Sequence, residues 1–226
     1  MRKICVTATP DVVAPTRIAL LPGAYQQPED FIREGFPDAV RARGLAIDLE
    51  FVGPEFQHVL DRAVVDYLHA QVIVPARTAG CRALWLGGVS LGGFIALLYA
   101  ERRPHDLDGV CLFAPYLGNR MVTAEIARAG GVFNWNPPHD DGDEERQIWR
   151  FIRRPAPPAL RVHLGIARQD RFGHGQRLFA DALAPEAVDY VDGGHNWTAW
   201  RLLWALFLDR FATSGAVPGA ATSPIG

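Results

Sequence analysis

The chain is 226 residues long, 49% hydrophobic, and carries a formal net charge of −2. That length suits one domain with a sizeable core, with or without a small insertion, and the near-neutral balance offers nucleic acid or an anionic membrane no electrostatic hold. Lys3 is the only lysine, which all but excludes Schiff-base chemistry and a phosphate-cradling P-loop.

The opening MRKICVTATPDVV has no continuous apolar stretch before Pro10 and Asp11, so no signal peptide is expected. No apolar run is long enough to span a bilayer. Cys5, Cys81 and Cys111 fall in strand-like surroundings without metal-ligand spacing, and predict reduced core thiols in a cytoplasmic protein; no metal or organic cofactor is expected. From there, short apolar runs alternate with longer helical patterns. Residues 17–23 read as a strand ending in a Pro-Gly turn, 27–44 as a loop and then a helix stopped at Gly44, and 45–53 as a strand. A helix runs from His58, bent or ended at Pro75, to a short turn at Ala79. RALWLGGVS (82–90) is a buried strand and 92–104 a helix closed by Pro104. Strands follow at 107–118, 159–170 and 186–194, with a helix at 175–185 between the last two. The closing helix, 196–211, places Trp197, Trp200, Trp204, Phe207 and Phe211 at helical spacing.

Alternating strands and helices imply an α/β fold, a mostly parallel sheet with helices on both faces. Residues 118–158 break the alternation and read as a small cap or lid inserted after the strand at 109–114. Residues 214–226 read as a poorly ordered tail, so the expected domain is 1–213.

Gly88-Val89-Ser90-Leu91-Gly92 fits the G-x-S-x-G pattern in its required setting, between a buried strand and a helix. Glycines two residues either side let strand and helix approach closely while the turn lifts the hydroxyl off the sheet. The only other serines, Ser214 and Ser223, lie in the tail. A serine hydroxyl needs a base and the base needs an orienting acid. Of seven histidines, His195 stands out, because DGGHNW ends a strand, supplies two glycines and enters a helix that Asn196 can cap. Asp170, closing the strand before, is the acid; Asp192 is too close in sequence, and Asp140, Asp141 and Asp143 belong to a charged run that reads as a solvated helix start. The N–H of Leu91 is one oxyanion donor, and that of Ala24 or Tyr25, in the LPGAY loop, is the second. Pro22 stands where many such enzymes have histidine.

With Ser90, Asp170 and His195 in that order, the chain resembles an α/β-hydrolase over roughly residues 15–212. GVSLGG (88–93) and GGHNWTAWR (193–201) are similar to motifs of esterase-D-like serine hydrolases. The resemblance implies Ser90 as nucleophile, His195 as base and Asp170 as acid, acting on a small carboxylic ester or thioester through an acyl-enzyme. Tyr25, Leu91, Tyr116, Trp135, Trp149 and Trp197 are pocket candidates, each equally readable as ordinary packing. Acyl transfer or peptide cleavage on the same triad, and non-catalytic binding on the same fold, stay open at this stage.

Overall fold

A computed structural model describes residues 2–54, 63–137, 142–154 and 160–213. The tail at 214–226 and the helix start expected at His58 lie outside the described residues, as do His139, Asp140 and Asp141. Seven strands form one sheet: β1 (Arg2–Val6), β2 (Thr16–Leu21), β3 (Ile47–Gly53), β4 (Ala83–Val89), β5 (Gly109–Phe113), β6 (Arg161–Ala167) and β7 (Val188–Val191). Their order is β1-β3-β2-β4-β5-β6-β7, and every neighbouring pair is parallel except β1 with β3. The expected mostly parallel α/β sheet is therefore present. β1 is an antiparallel edge that the sequence hints at only through the strand-like surroundings of Cys5, because RKICV is largely exposed and lacks a long apolar run. The buried Asp48 carboxylate secures the segment after it, accepting hydrogen bonds from the N–H groups of Ala8 and Ala14 at 3.0 and 3.1 Å.

The helices cover both faces. On one lie α1 (Pro28–Arg33), α2 (Phe36–Arg41) and α9 (Trp197–Thr213), whose aromatic stripe packs with Phe31, Phe36, Trp85 and Phe113. Trp204 is buried there, stacked on Phe36, and its indole N–H donates to the Phe36 carbonyl at 3.0 Å. The single helix expected within 27–44 is two, because Gly35 takes φ +77° and Pro37 starts a new first turn.

The other face carries α3 (Val64–Leu68), α4 (Val74–Thr78), α5 (Leu91–Arg102), α6 (Arg120–Arg128), α7 (Glu144–Arg153) and α8 (Gly173–Ala180). Between α3 and α4 the chain makes a π turn (His69–Ile73), which takes up the irregularity before Pro75. Proline has no N–H for the carbonyl four residues back, and that carbonyl, on Gln71, instead accepts the Lys3 ammonium at 2.6 Å. α6 and α7 come from the segment expected as an insertion. They bury Val122, Ile126, Ile148, Trp149 and Ile152 in the same apolar cluster as α5, so the described part of this segment packs as a continuation of that face. Asp143 caps α7, accepting from the N–H groups of Glu145 and Arg146, which makes the acidic run a helix start as read.

The strand order reverses direction between β2 and β4. In an open parallel sheet the loops at such a switch point diverge, and a crevice opens at the carboxyl ends of the strands. The turns after β2 and β4 both reach that crevice.

One buried titratable group lies away from it. His163 on β6 packs against Phe207 and Phe113, with Asp189 3.7 Å from its Nε2. Arg210 holds both Asp189 oxygens, at 2.6 and 2.7 Å, and burial outweighs the carboxylate's attraction, bringing the imidazole pKa from 6.5 down to about 4. The unfolded chain then binds a proton near pH 6.5 that the folded chain refuses until about pH 4. Folding stability should therefore be lost progressively as pH falls through that window. Urea unfolding of the wild type and of His163→Phe across it should show a flatter pH dependence in the variant; parallel curves would refute the assignment.

Candidate active site

β4 ends at Val89 and α5 begins at Leu91, leaving Ser90 alone to make the turn at φ 52°, ψ −117°. The turn is clamped from two sides. Ser90 N–H donates to the Phe113 carbonyl at 3.2 Å, and the Ser90 carbonyl accepts from Gly93 and Tyr116 N–H at 3.1 and 3.0 Å. A Cβ on Gly88 would sit 2.3 Å from the Leu21 carbonyl oxygen, and one on Gly92 2.1 Å from the same atom. Only glycine fits at either place, as the motif anticipates.

The acid and the base arrive on neighbouring loops. Asp170 follows β6 and His195 follows β7, and the loops are tied together where Gln169 N–H donates to Gly193 O at 3.0 Å and Gly193 N–H to Gln169 Oε1 at 2.5 Å. His195 Nδ1 lies 2.7 Å from Asp170 Oδ2, and its Nε2 lies 2.8 Å from Ser90 Oγ. The other Asp170 oxygen accepts the Phe172 N–H at 2.7 Å, so the turn role and the orienting role coexist in one carboxylate. Asn196 caps α9 as expected, accepting from Ala199 N–H at 3.2 Å. Phe172 and Trp200 meet the imidazole edge-on, with centroids 4.9 and 5.1 Å away. The side chains singled out in sequence, Ser90, Asp170 and His195, are thus brought into one hydrogen-bonded line.

Opposite the serine runs the loop after β2. Gly23 is close enough that a Cβ there would lie 3.2 Å from Ser90 Cβ. Gln26 fixes this loop with its backbone N–H to Gly23 O at 3.2 Å and its side-chain oxygen on Gly23 N–H at 2.9 Å. The turn so closed carries Ala24 and Tyr25, the latter at φ 64°. Among the described residues, the N–H groups of Ala24, Tyr25 and Leu91 have no protein acceptor. Non-glycine residues with positive φ are Asp11, Tyr25, Ser90 and Ala114. The last three end or follow β2, β4 and β5, so backbone strain, at about 1–3 kcal/mol each, gathers around the crevice.

A family described as "Putative esterase" matches residues 52–206, well over half of the chain. The chain belongs to that family. Solved structures of the same fold include a ferulic acid esterase (12% identity, covering 92% of this chain and 96% of that one, TM-score 0.59). Another is FphF, a fluorophosphonate-binding serine hydrolase of Staphylococcus aureus (11% identity, 94% and 98% covered, TM-score 0.62). A third is FrmB, the S-formylglutathione hydrolase of Staphylococcus aureus (12% identity, 89% and 83% covered, TM-score 0.59). At such identities the likeness establishes the α/β-hydrolase fold. No curated protein matches the chain significantly in sequence. Family and fold together make this an esterase-family protein with the α/β-hydrolase fold.

The pocket candidates divide. Tyr116 lines a cavity beside the triad, and its hydroxyl donates to Glu145 Oε1 at 2.6 Å; burial and that carboxylate push its pKa up, keeping the phenol protonated. Leu91 is partly buried at the start of α5, and the Tyr25 side chain is fully exposed on the loop facing Ser90. Trp135 and Trp149 are not pocket residues in this esterase. Both are buried in the core, with indole N–H groups satisfied by Glu125 Oε1 at 2.8 Å and the Leu117 carbonyl at 2.7 Å. Trp197 packs against Phe31, Phe36 and Trp200 on the α1–α2 side. Sequence reading missed Phe172 and Gln26; their only signal is adjacency, two residues after the acid and three after Gly23.

Replacing Gly92 by alanine should force β2 and the elbow apart and cost about 2–3 kcal/mol. Urea unfolding should show a lower midpoint, with esterase activity lost at temperatures where the variant is still folded.

Proposed function

We propose that this protein cleaves a small carboxylic ester or thioester through Ser90, His195 and Asp170, by way of a covalent acyl-enzyme. The observation that carries this reading is the unbroken hydrogen-bond line from Ser90 Oγ through both imidazole nitrogens to Asp170, at 2.8 and 2.7 Å. His195 Nε2 takes the Ser90 proton as Oγ bonds to the carbonyl carbon, and Asp170 stabilises the imidazolium while fixing its tautomer. The negative charge on the former carbonyl oxygen is met by the N–H of Leu91 and that of Ala24 or Tyr25, donors free of other partners among the described residues. On collapse the bond to the leaving alcohol or thiol breaks and His195 protonates it. Water then attacks the acyl-serine with His195 again as base, releasing the acid and restoring the hydroxyl. The route needs no metal or organic cofactor, only a small-molecule substrate. Among the described residues no helix is long and apolar enough to cross a membrane, and the free thiols, Cys81 and Cys111 buried as expected and Cys5 exposed on the edge strand rather than in the core, suit a cytoplasmic enzyme.

A fluorophosphonate probe should label the wild type at Ser90 and abolish hydrolysis of 4-nitrophenyl esters. Ser90→Ala should lose both, and His195→Ala should lower kcat at least about a thousandfold with its unfolding midpoint retained. A wild type that ignores probe and esters alike would point to a binding protein on this scaffold.

A further inference from the structure

A cavity of about 480 Å³ lies at the carboxyl edge of the sheet, where the first turns of α6 and α8 converge, and Phe172 separates it from the triad. Tyr116 and Phe172 form a shared wall, their rings 5.4 Å apart, and Phe172 is the ring that touches His195. Around this wall stand Arg120, Arg171 and His174, and no carboxylate lines the cavity. Among the described residues neither Arg120 nor Arg171 forms an ion pair, whereas Arg102 and Arg146 nearby are paired with Glu144, Glu125 and Asp143. Arg171 is held by its guanidinium lying 4.9 Å from the Phe172 ring centroid. Two arginines without an ion pair among the described residues thus line a space one ring removed from the catalytic imidazole.

On the other side of Tyr116 the charges are carboxylates, and they already have partners. There a groove is lined by Phe94, Tyr116, Asn119, Asp143, Glu144 and Glu145. Glu145 is already committed to the Tyr116 hydroxyl and the Asn119 N–H, at 2.6 and 2.9 Å. Tyr116 therefore divides a space lined by two arginines without ion-pair partners among the described residues from a groove whose carboxylates are already held by Arg102, Arg146 and the Tyr116 hydroxyl. A substrate with a negative end is drawn to the first, where guanidinium charge is not already spent, so one orientation is favoured. Guanidinium forks suit a planar carboxylate in particular.

We propose that the substrate is an ester or thioester whose non-reacting end bears a carboxylate, bound between Arg120 and Arg171 while the reacting carbonyl lies at Ser90. This rests on the serine-hydrolase reading above and narrows it to a substrate class.

The test compares ester pairs that differ in the charge. 4-Nitrophenyl hemiadipate against 4-nitrophenyl hexanoate places the carboxylate on the acyl side, and 4-carboxyphenyl acetate against phenyl acetate places it on the leaving side. Each rate is corrected for reactivity toward hydroxide. At low ionic strength one anionic ester should be preferred by about tenfold or more in kcat/KM, and about 0.5 M salt should erode the preference. Arg120→Gln and Arg171→Gln should each lower the ratio severalfold, and Arg120→Glu should reverse it; reading a ratio removes any general loss of activity. Ser90-dependent hydrolysis of the neutral esters with no preference for either anionic one overturns this inference alone, as does a preference that survives both Arg120→Glu and Arg171→Gln. Absence of any Ser90-dependent hydrolysis overturns the serine-hydrolase reading and this one with it.

Discussion

Everything at the site depends on how closely two pieces of backbone approach at the carboxyl end of the sheet. The Leu21 carbonyl comes so near the elbow that neither Gly88 nor Gly92 has space for a single additional carbon. That approach does two things together. It brings the Gly23–Gln26 turn against Ser90, and it forces the serine into a positive φ that no regular strand or helix would impose. The strain is borne because the surroundings over-determine it. Ser90 is held through its own N–H and carbonyl by β5 and by the turn that follows β5, and Ala114, also at positive φ, makes that turn possible.

How much of this can be read from residues alone follows from the range of the interactions. The parallel strands and the elbow are legible because buried β-strands need apolar runs, and because G-x-S-x-G is a local solution to a local crowding problem. His195 is legible for the same reason, its glycines and Asn196 being contiguous with it. Asp170 is found by chain order and its place at a strand end. β1 is barely legible, only through the strand-like surroundings of Cys5, since an edge strand facing water has no periodic apolar signature. Trp135 and Trp149 mislead because a large aromatic in a polar, proline-rich segment looks exposed, and only the packing of α6 and α7 onto α5 shows it to be core. The cationic wall is invisible in sequence. Arg120 and Arg171 are 51 positions apart, and nothing local distinguishes them from arginines that are paired elsewhere.

The segment between β5 and β6 also links stability to function. Its apolar residues complete one face of the core, while Tyr116, Glu145 and Asn119 carry its polar side to the edge of the crevice. Shape at the site is thereby set by the same helices that exclude water from beneath the sheet, so it cannot be altered there without touching the fold.

The pair of hydrogen bonds between Gln169 and Gly193 has a mechanical meaning. The acid and the base stand on loops that are sewn to each other, and the imidazole is gripped by Phe172 from one loop and Trp200 from α9. Asp170 and His195 therefore form one rigid half of the apparatus, and the serine, anchored to β5, forms the other. Beyond the β5–β6 pairing and the Tyr116–Phe172 ring contact, the halves meet at the 2.8 Å contact from imidazole to hydroxyl. Two separately anchored pieces of the fold must therefore be held in register to within a hydrogen bond, because that contact is the one across which the proton has to pass.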